Sequence, residues 1–475
     1  MCGIFGAVSA KPEPLLPRWS FFGLTQLQHR GQESAGFAYS DGNQLWVEKA
    51  EGLISHVLTD DKIKEMANRN PTMLIGQTRY STSKGTSSRN IQPQYRDPLT
   101  GRIALVHNGN IPNLEEKKEE LGKLDSQIDI SPEANDTEFM LTKILFFMTK
   151  NGGNVREAIR EFIATTDGSY SAALLTKQGV YLFRDPWGNR PLFFGSKQDT
   201  LFFASETCAL EDYCSRRVCH IYPGQIIEVK PEHYMGSGWI GVNWEFRPRQ
   251  EQKSHCIFEK IYFARPDSNT FGPEQEGSFR FRLGQKSAQL FPIPDADFVS
   301  CIPESGRPSA EGFAFESRLP TLEVFTRNSF ILGRTFILPN PGDRAEYSKK
   351  KYHLMKWALE YAKNKSVVLV DDSIVRGNTM KGKIEQLFKA GAKEVHLRIS
   401  SPPVTGQCFY GLDLPTKEEL VAASRSEEEV RQWLGATSLK YLPIDAVDSV
   451  LKEGKEDPRN FCKGCFTGEY PIPLH

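Results

Sequence analysis

The chain has 475 residues, with Lys+Arg and Asp+Glu at 59 each, so its formal net charge is zero. That balance excludes the basic excess with which a protein neutralises a nucleic-acid backbone, and no apolar run approaches the roughly 18 residues of a membrane helix. At about 100–200 residues per domain the length implies two to four domains, and 39% hydrophobic with 25% charged residues describes an ordinary globular protein.

The N-terminus, Met1-Cys2-Gly3-Ile4-Phe5-Gly6, lacks the basic region and long apolar stretch of a secretion signal. The cysteines number nine, an odd count in a long chain and unlike a disulfide framework. The expectation is a cytoplasmic protein with most of its thiols reduced. Removal of Met1 would put a thiol and a free α-amino group on Cys2. An α-amine with a pKa of about 8 can take the thiol proton, directly or through a water, without a separate histidine. A cysteine at position 2 is, by itself, equally an inert buried thiol.

Polar clusters beside apolar runs follow at Gln28-His29-Arg30-Gly31-Gln32-Glu33-Ser34-Ala35-Gly36, at Gln77-Thr78-Arg79-Tyr80-Ser81-Thr82 and at His107-Asn108-Gly109-Asn110. Short β-type runs at Ile103–Val106, Tyr170–Leu175 and Thr200–Ala204 mix with helical periodicity over Glu138–Met148, which predicts a layered α+β domain over residues 1–238. Gly236-Ser237-Gly238 and the polar stretch Arg247–Ser254 read as a connector.

Residues 239–475 change rhythm. Val367-Val368-Leu369-Val370 reads as a strand buried on both faces. Met380, Ile384, Leu387 and Phe388 then fall at helical spacing before Gly391, and Val395–Ile399 reads as the next strand. Strand, loop, helix, strand is a βαβ unit, so this half is an α/β domain with a parallel sheet. The first of these strands delivers Asp371 and Asp372 to its C-terminal end, where such folds bind ligands. From Ser373 the chain runs through Gly377 into a helix N-terminus. Its N–H groups, with the Thr379 hydroxyl, can hold a phosphate. Gly377 to Lys383 fits most of a nucleotide-binding P-loop, but Ile384 stands where a magnesium-binding hydroxyl belongs, which rejects that reading. Near the end, Cys462 and Cys465 form a C-x-x-C, open to a redox pair, a metal site or coincidence.

The N-terminal Cys-Gly-Ile-Phe-Gly together with the three polar clusters resembles the N-terminal-nucleophile (class II) glutamine amidotransferases. The resemblance extends through Asn135-Asp136-Thr137-Glu138, Arg184-Asp185-Pro186 and Ala204-Ser205-Glu206-Thr207. It implies a four-layer αββα domain in which Cys2 attacks the glutamine amide carbon. Asn108 and the Gly109 N–H would stabilise the oxyanion, and Arg30, Arg79, Thr82 and Asp136 would bind glutamine, Arg79 at its carboxylate and Asp136 at its ammonium. One position departs from the family, Gln77 standing where His is usual.

The segment VVLVDDSIVRGNT, residues 367–379, resembles the signature of type I phosphoribosyltransferases. It implies that Asp371, Asp372, Ser373, Arg376, Gly377, Asn378 and Thr379 bind phosphoribosyl pyrophosphate. Ile302-Pro303-Glu304-Ser305-Gly306 resembles a pyrophosphate loop and Gly333-Arg334-Thr335-Phe336-Ile337 a mobile loop. These add Glu304, Ser305, Gly306, Arg334 and Lys351 to the set, with Ser305, Asp371 and Asp372 near Mg²⁺.

Both halves together resemble the amidophosphoribosyltransferase family. The resemblance implies 5-phosphoribosylamine as product, the committed step of de novo purine synthesis, with purine-nucleotide feedback inhibitors and a homo-oligomer, dimer or tetramer. Cys256, Cys408, Cys462 and Cys465 stand where one branch of the family holds a [4Fe-4S] cluster, although four thiolates suit tetrahedral zinc equally. Cys208, Cys214, Cys219 and Cys301 read as ordinary thiols. The rival reading is a non-catalytic sensor of phosphoribosyl pyrophosphate, which would not need the Cys2, Arg79, Asn108 and Asp136 set.

Overall fold

The computed structural model describes residues 1–80, 88–98, 101–124, 128, 130–215, 218–236, 238–239, 243–245, 253–328, 352–414 and 416–474. Its residues form two compact units, the first built from Met1–His255 with Phe409–Asp413 and Pro471–His475, the second from Cys256–Cys408 and Leu414–Tyr470. The first unit thus runs past the division at 238/239 read from the sequence, and much of the expected connector lies outside the described residues. Among the described residues no helix is long and apolar enough to cross a membrane.

In the first unit, alternation along each strand separates two sheets into layers. Gly3–Ser9 pairs antiparallel with Thr200–Ala204 on one side and Met73–Arg79 on the other, at the centre of a seven-stranded sheet. Its residues alternate in destination, as a strand buried on both faces requires. Ile4 and Val8 face a second sheet through Val106, Ala173, Leu182 and Ile227. Phe5 and Ala7 face the opposite way, against Leu16 and Leu24 of helix Leu16–Gln26 and Ile63 and Met66 of helix Asp60–Asn68. The second sheet has six strands, all antiparallel, with Ile103–Asn110 and Ser169–Leu175 paired near one edge. Its outer face packs Leu105, Ala172 and Phe183 against Phe139, Ile144, Ile159 and Phe162 from helices Asp136–Lys150 and Val155–Thr165. Helix, sheet, sheet, helix is the four-layer arrangement expected, and the sequence-read strands and helix fall within these elements.

Helix Asp136–Lys150 starts where a capping box fixes it. Asn135 Oδ1 accepts the Glu138 N–H at 2.9 Å, and Glu138 Oε2 accepts the Asn135 N–H at 3.1 Å. Two orphan donors are satisfied reciprocally, and Asp136 is held on the first turn.

The second unit contains a parallel sheet in the order Phe298–Cys301, Ser366–Asp371, Glu394–Ile399, Ser438–Tyr441. Ser366–Asp371 is central and covered on both sides. Val367 and Leu369 pack on Met380, Ile384 and Leu387 of helix Asn378–Lys389. Val368 and Val370 pack on Ala288, Ala310 and Phe313 of helices Glu276–Leu290 and Arg307–Ser317. The apolar run Val367–Val370 is therefore the double-sided strand its composition predicts.

Candidate active site

At the N-terminus of the first unit, strand Gly3–Ser9 begins one residue after Cys2, so the sheet fixes the cysteine's backbone. The Cys2 N–H donates to Asn108 Oδ1 at 2.9 Å, and Arg30 Nε donates to the Cys2 carbonyl at 2.9 Å. Arg30 is fully buried and its Nη1 also bonds Glu206, itself fully buried, which accepts from His29 Nε2 at 2.7 Å as well. Arg30 is thus placed beneath the cysteine as a holder of its backbone. The Cys2 thiol lies 3.8 Å from the Tyr80 carbonyl.

Asn108 is the informative neighbour. Its side-chain oxygen is spent on the Cys2 N–H. Its Nδ2 is buried and, among the described residues, has no hydrogen-bond partner. A stranded amide donor costs about 1–3 kcal/mol, so a fold that keeps one beside a thiol is holding it for something that arrives later. Gly109 follows at φ +153°. A Cβ there would stand 1.8 Å from the Ser169 carbonyl oxygen, so this backbone can pass only as glycine.

A polar network runs behind this pair. Gln77 Nε2 donates to Gln92 Oε1 at 2.8 Å and to the His107 carbonyl at 2.5 Å, while Gln92 Oε1 accepts the His107 N–H at 2.7 Å. His107 Nδ1 lies 2.9 Å from Thr137 Oγ1 and its Nε2 lies 3.3 Å from Asp136 Oδ2. Gln77, which departs from the family's usual His, is fully buried and pins both peptide groups of His107 through Gln92 and directly. Gln77→Ala is expected to strand the His107 carbonyl and lower unfolding free energy by roughly 1–3 kcal/mol, measured by denaturant titration.

Burial works to raise the Asp136 pKa, but His107, the Thr137 N–H and Arg79 outweigh it and hold the carboxyl below its ordinary range. Asp136 therefore stays ionised. Arg79 is buried at the end of strand Met73–Arg79, with Nη1 4.0 Å from Glu33 Oε2. The structure brings Cys2, Arg30, Arg79, Asn108, Gly109 and Asp136 into one connected region; Thr82 lies outside the described residues. Sequence reasoning did not assign roles to His107, Gln92 and Glu206. The first and last sat inside quoted motifs, but Gln92 carried no motif signal.

In the second unit the strand Ser366–Asp371 ends at the acid pair. Asp371 is raised well above the usual carboxylate range by burial and by the neighbouring Asp372 charge. Asp372 is raised by burial, against hydrogen bonds from Ser305 and Ser373; Ser373 Oγ donates to its Oδ1 at 2.6 Å. Gly306 lies so close that a Cβ there would stand 2.9 Å from Asp371 Oδ1. Two adjacent carboxyls, Asp372 buried and Asp371 partly so, with the Ser305 and Ser373 hydroxyls beside Asp372, form an oxygen donor set that suits a hard cation. Gly377, at φ +77°, is the N-cap residue of helix Asn378–Lys389 and, having no side chain, makes no side-chain cap bond. Arg376 pairs with Glu419 at 2.6 Å, and Glu304 lies 3.6 Å from Arg307. Arg334 and Lys351 lie outside the described residues.

Also in the second unit, the Cys465 thiol is pushed well up by burial and by Cys256, Cys462 and Cys408, which gather around it. The Thr405 and Gly406 N–H groups both donate to the Cys465 carbonyl at 3.0 Å, tying the two segments together. Tyr470 is pushed up to about 12 by its burial and by three of the same thiols. The four sulfurs fit a thiolate-bound group in kind and neighbourhood, although among the described residues no three His, Cys, Asp or Glu side chains stand in metal-holding geometry. Burial pushes Cys214 and Cys301 up to about 12, as expected of ordinary thiols.

A family model described as "Glutamine amidotransferase domain" matches residues 77–212. The chain is 37% identical to the amidophosphoribosyltransferase of Methanocaldococcus jannaschii, over 100% of this chain and 98% of that protein. It is 34% identical to the human amidophosphoribosyltransferase over 100% of this chain and 98% of the relative. Among solved structures it is similar to the glutamine phosphoribosylpyrophosphate amidotransferase of Bacillus subtilis complexed with ADP and GMP. That similarity has a TM-score of 0.85 at 34% identity and covers 100% of this chain and 98% of that one.

Proposed function

The chain belongs to the amidophosphoribosyltransferase family, and from that premise we propose how its residues divide the reaction. The enzyme converts glutamine and 5-phosphoribosyl 1-pyrophosphate to 5-phosphoribosylamine, glutamate and pyrophosphate, the committed step of de novo purine synthesis. Once the bond ahead of Cys2 is cut, the freed amine takes the thiol proton and the thiolate attacks the glutamine amide carbon. Negative charge develops on the former carbonyl oxygen, where Asn108 Nδ2 and the Gly109 N–H wait for it. The intermediate collapses to a thioester as ammonia leaves with the proton, and water then releases glutamate. Arg79 holds the substrate carboxylate as a bidentate pair and Asp136 its ammonium. The observation that carries this assignment is the buried, partnerless Asn108 Nδ2 beside the Cys2 N–H.

In the second unit, ammonia displaces pyrophosphate from the anomeric carbon. The residues Ser373 to Thr379 hold the 5-phosphate at the helix N-terminus, Asp371 and Asp372 face the ribose hydroxyls, and Glu304, Ser305 and Gly306 face the pyrophosphate. Arg334 and Lys351 complete the clamp on the leaving group. Mg²⁺, held near Ser305, Asp371 and Asp372, supplies charge neutralisation for the pyrophosphate. Asp372→Asn is expected to raise KM for phosphoribosyl pyrophosphate roughly 10–100-fold, the worth of one charged contact. Glutamate release measured without that substrate should not change.

Cys256, Cys408, Cys462 and Cys465 would hold a [4Fe-4S] cluster, which supplies a covalent tie between distant segments. Protein purified without oxygen should carry about four irons with acid-labile sulfide; stoichiometric zinc would overturn the assignment. A cytoplasmic location belongs to the same reading, because nine cysteines, an odd count in a long chain, are unlike the disulfide framework of a secreted protein. Purine-nucleotide inhibition is supported by the Bacillus subtilis relative, which is complexed with ADP and GMP, and a homo-oligomeric state, dimer or tetramer, belongs to the family resemblance.

The deciding measurement is glutamate release with and without phosphoribosyl pyrophosphate and Mg²⁺. Strong stimulation by both supports coupled transfer; indifference would assign another acceptor, and no release would favour the sensor reading.

A further inference from the structure

Between Cys408 and Leu414 the chain leaves the second unit for five residues, Phe409–Asp413, and packs wholly within the first. Its contacts there are concentrated on the amidotransferase site. The Phe409 carbonyl accepts Asn110 Nδ2 at 2.8 Å, one residue past the Gly109 peptide. The Tyr410 carbonyl accepts Arg190 Nε at 3.1 Å and Nη2 at 2.6 Å, and Asp413 Oδ2 accepts the Tyr80 hydroxyl at 3.3 Å. Tyr410 is itself anchored, its hydroxyl donating to the Ile472 carbonyl at 2.6 Å.

The closest approach is backbone to backbone. Gly411 adopts φ +96°, and a Cβ there would stand 2.6 Å from the Gly109 oxygen, 2.7 Å from its carbonyl carbon and 3.1 Å from its Cα. On the other side a Cβ at Gly109 would strike the Ser169 carbonyl. Gly109 is therefore closely approached by two backbones, those of Gly411 and of Ser169–Tyr170, and the nearest atoms at both contacts are backbone atoms. Contacts at the Gly109 Cα and carbonyl limit rotation about its φ, the torsion that joins this carbonyl to the Asn108–Gly109 peptide carrying the N–H, so that N–H keeps one direction. An oxyanion donor is worth most when it needs no reorganisation as the charge develops.

We propose that Phe409–Asp413 is a positioning strap of the glutaminase reaction, with Gly411 and the Phe409–Asn110 bond setting the direction of the Gly109 N–H. This rests on the reading of that N–H as an oxyanion donor. The strap touches no atom of the reaction; it acts through Gly109. Loss of positioning should appear in the chemical step and spare substrate binding, because these hydrogen bonds run to Asn110, Arg190 and Tyr80 and not to the Arg79 or Asp136 side chains.

The test uses the full-length enzyme and compares Gly411→Ala, Asn110→Ala and Asn108→Asp. Gly411→Ala should lower kcat for glutamate release by about 10–10³-fold, with KM for glutamine unchanged. Iodoacetamide, which needs no oxyanion donor, should alkylate Cys2 at the unaltered rate, and ammonia-driven synthesis should persist. Asn110→Ala adds no atoms and should fold where Gly411→Ala fails; it should lower kcat by about tenfold through the lost bond. Unaltered kcat in a folded Gly411→Ala or in Asn110→Ala, or a loss confined to KM, overturns the strap. An Asn108→Asp variant of unaltered kcat would instead overturn the oxyanion assignment on which the strap depends.

Discussion

Cys2→Ala is expected to abolish glutamine-dependent synthesis of phosphoribosylamine while synthesis from added ammonia continues at its original rate. The Cys2 thiol is the group that forms the thioester in the proposed reaction, and alanine removes it from a buried position without adding volume. Removing the nucleophile of a comparable hydrolytic site costs on the order of 10⁶ in kcat, so glutamate release should fall by more than about 10⁴-fold. The ammonia-driven reaction uses only the second unit's residues, Asp371, Asp372 and the loop after them. An assay of both activities on one preparation therefore separates loss of the nucleophile from loss of the fold. Parallel loss of both would mean that Cys2 is structural.

Asn108→Asp should lower kcat for glutamate release by about 10²–10³-fold and leave KM for glutamine close to its original value. The substitution is nearly isosteric and keeps an oxygen to accept the Cys2 N–H, now held at 2.9 Å. What it removes is Nδ2, the buried donor with no partner among the described residues, and it puts an acceptor where negative charge must form. The effect belongs to the transition state, because the ground-state carbonyl carries little charge for the donor to meet. A rise in KM with unaltered kcat would assign Asn108 to substrate binding instead.

Much of this architecture was legible because it depends on local pattern. Val367–Val370 is apolar at every position, which only a strand covered on both faces tolerates, and the acids that follow emerge at the sheet's C-terminal end. Asn135 and Glu138 mark a helix start three residues apart, so the position of Asp136 follows from the chain itself. The network behind the site was not legible. Gln77, Gln92 and His107 meet through hydrogen bonds that join strands of two facing sheets and a loop, and nothing in the spacing of two glutamines announces that they will share one peptide. Phe409–Asp413 is the extreme case. Five residues carry no periodicity, and their partners Tyr80, Gly109, Asn110 and Arg190 lie hundreds of positions earlier, so only the folded chain shows the contact. Thr82, Arg334 and Lys351, read from family likeness, lie outside the described residues.

The burial of the first residue sets an order of events in the cell. Met1 is 1% exposed, its sulfur against the Arg190 guanidinium, while the Cys2 nitrogen is an amide committed to Asn108. An aminopeptidase must draw the scissile bond into its own cleft, which a sealed terminus forbids. Arg190 is in turn held by the Tyr410 carbonyl, which accepts from its Nη2 at 2.6 Å. In the proposed reaction, Met1 must therefore be removed before the fold closes over it. A chain that folds with Met1 in place keeps the Cys2 nitrogen as an amide and has no free amine to take the thiol proton.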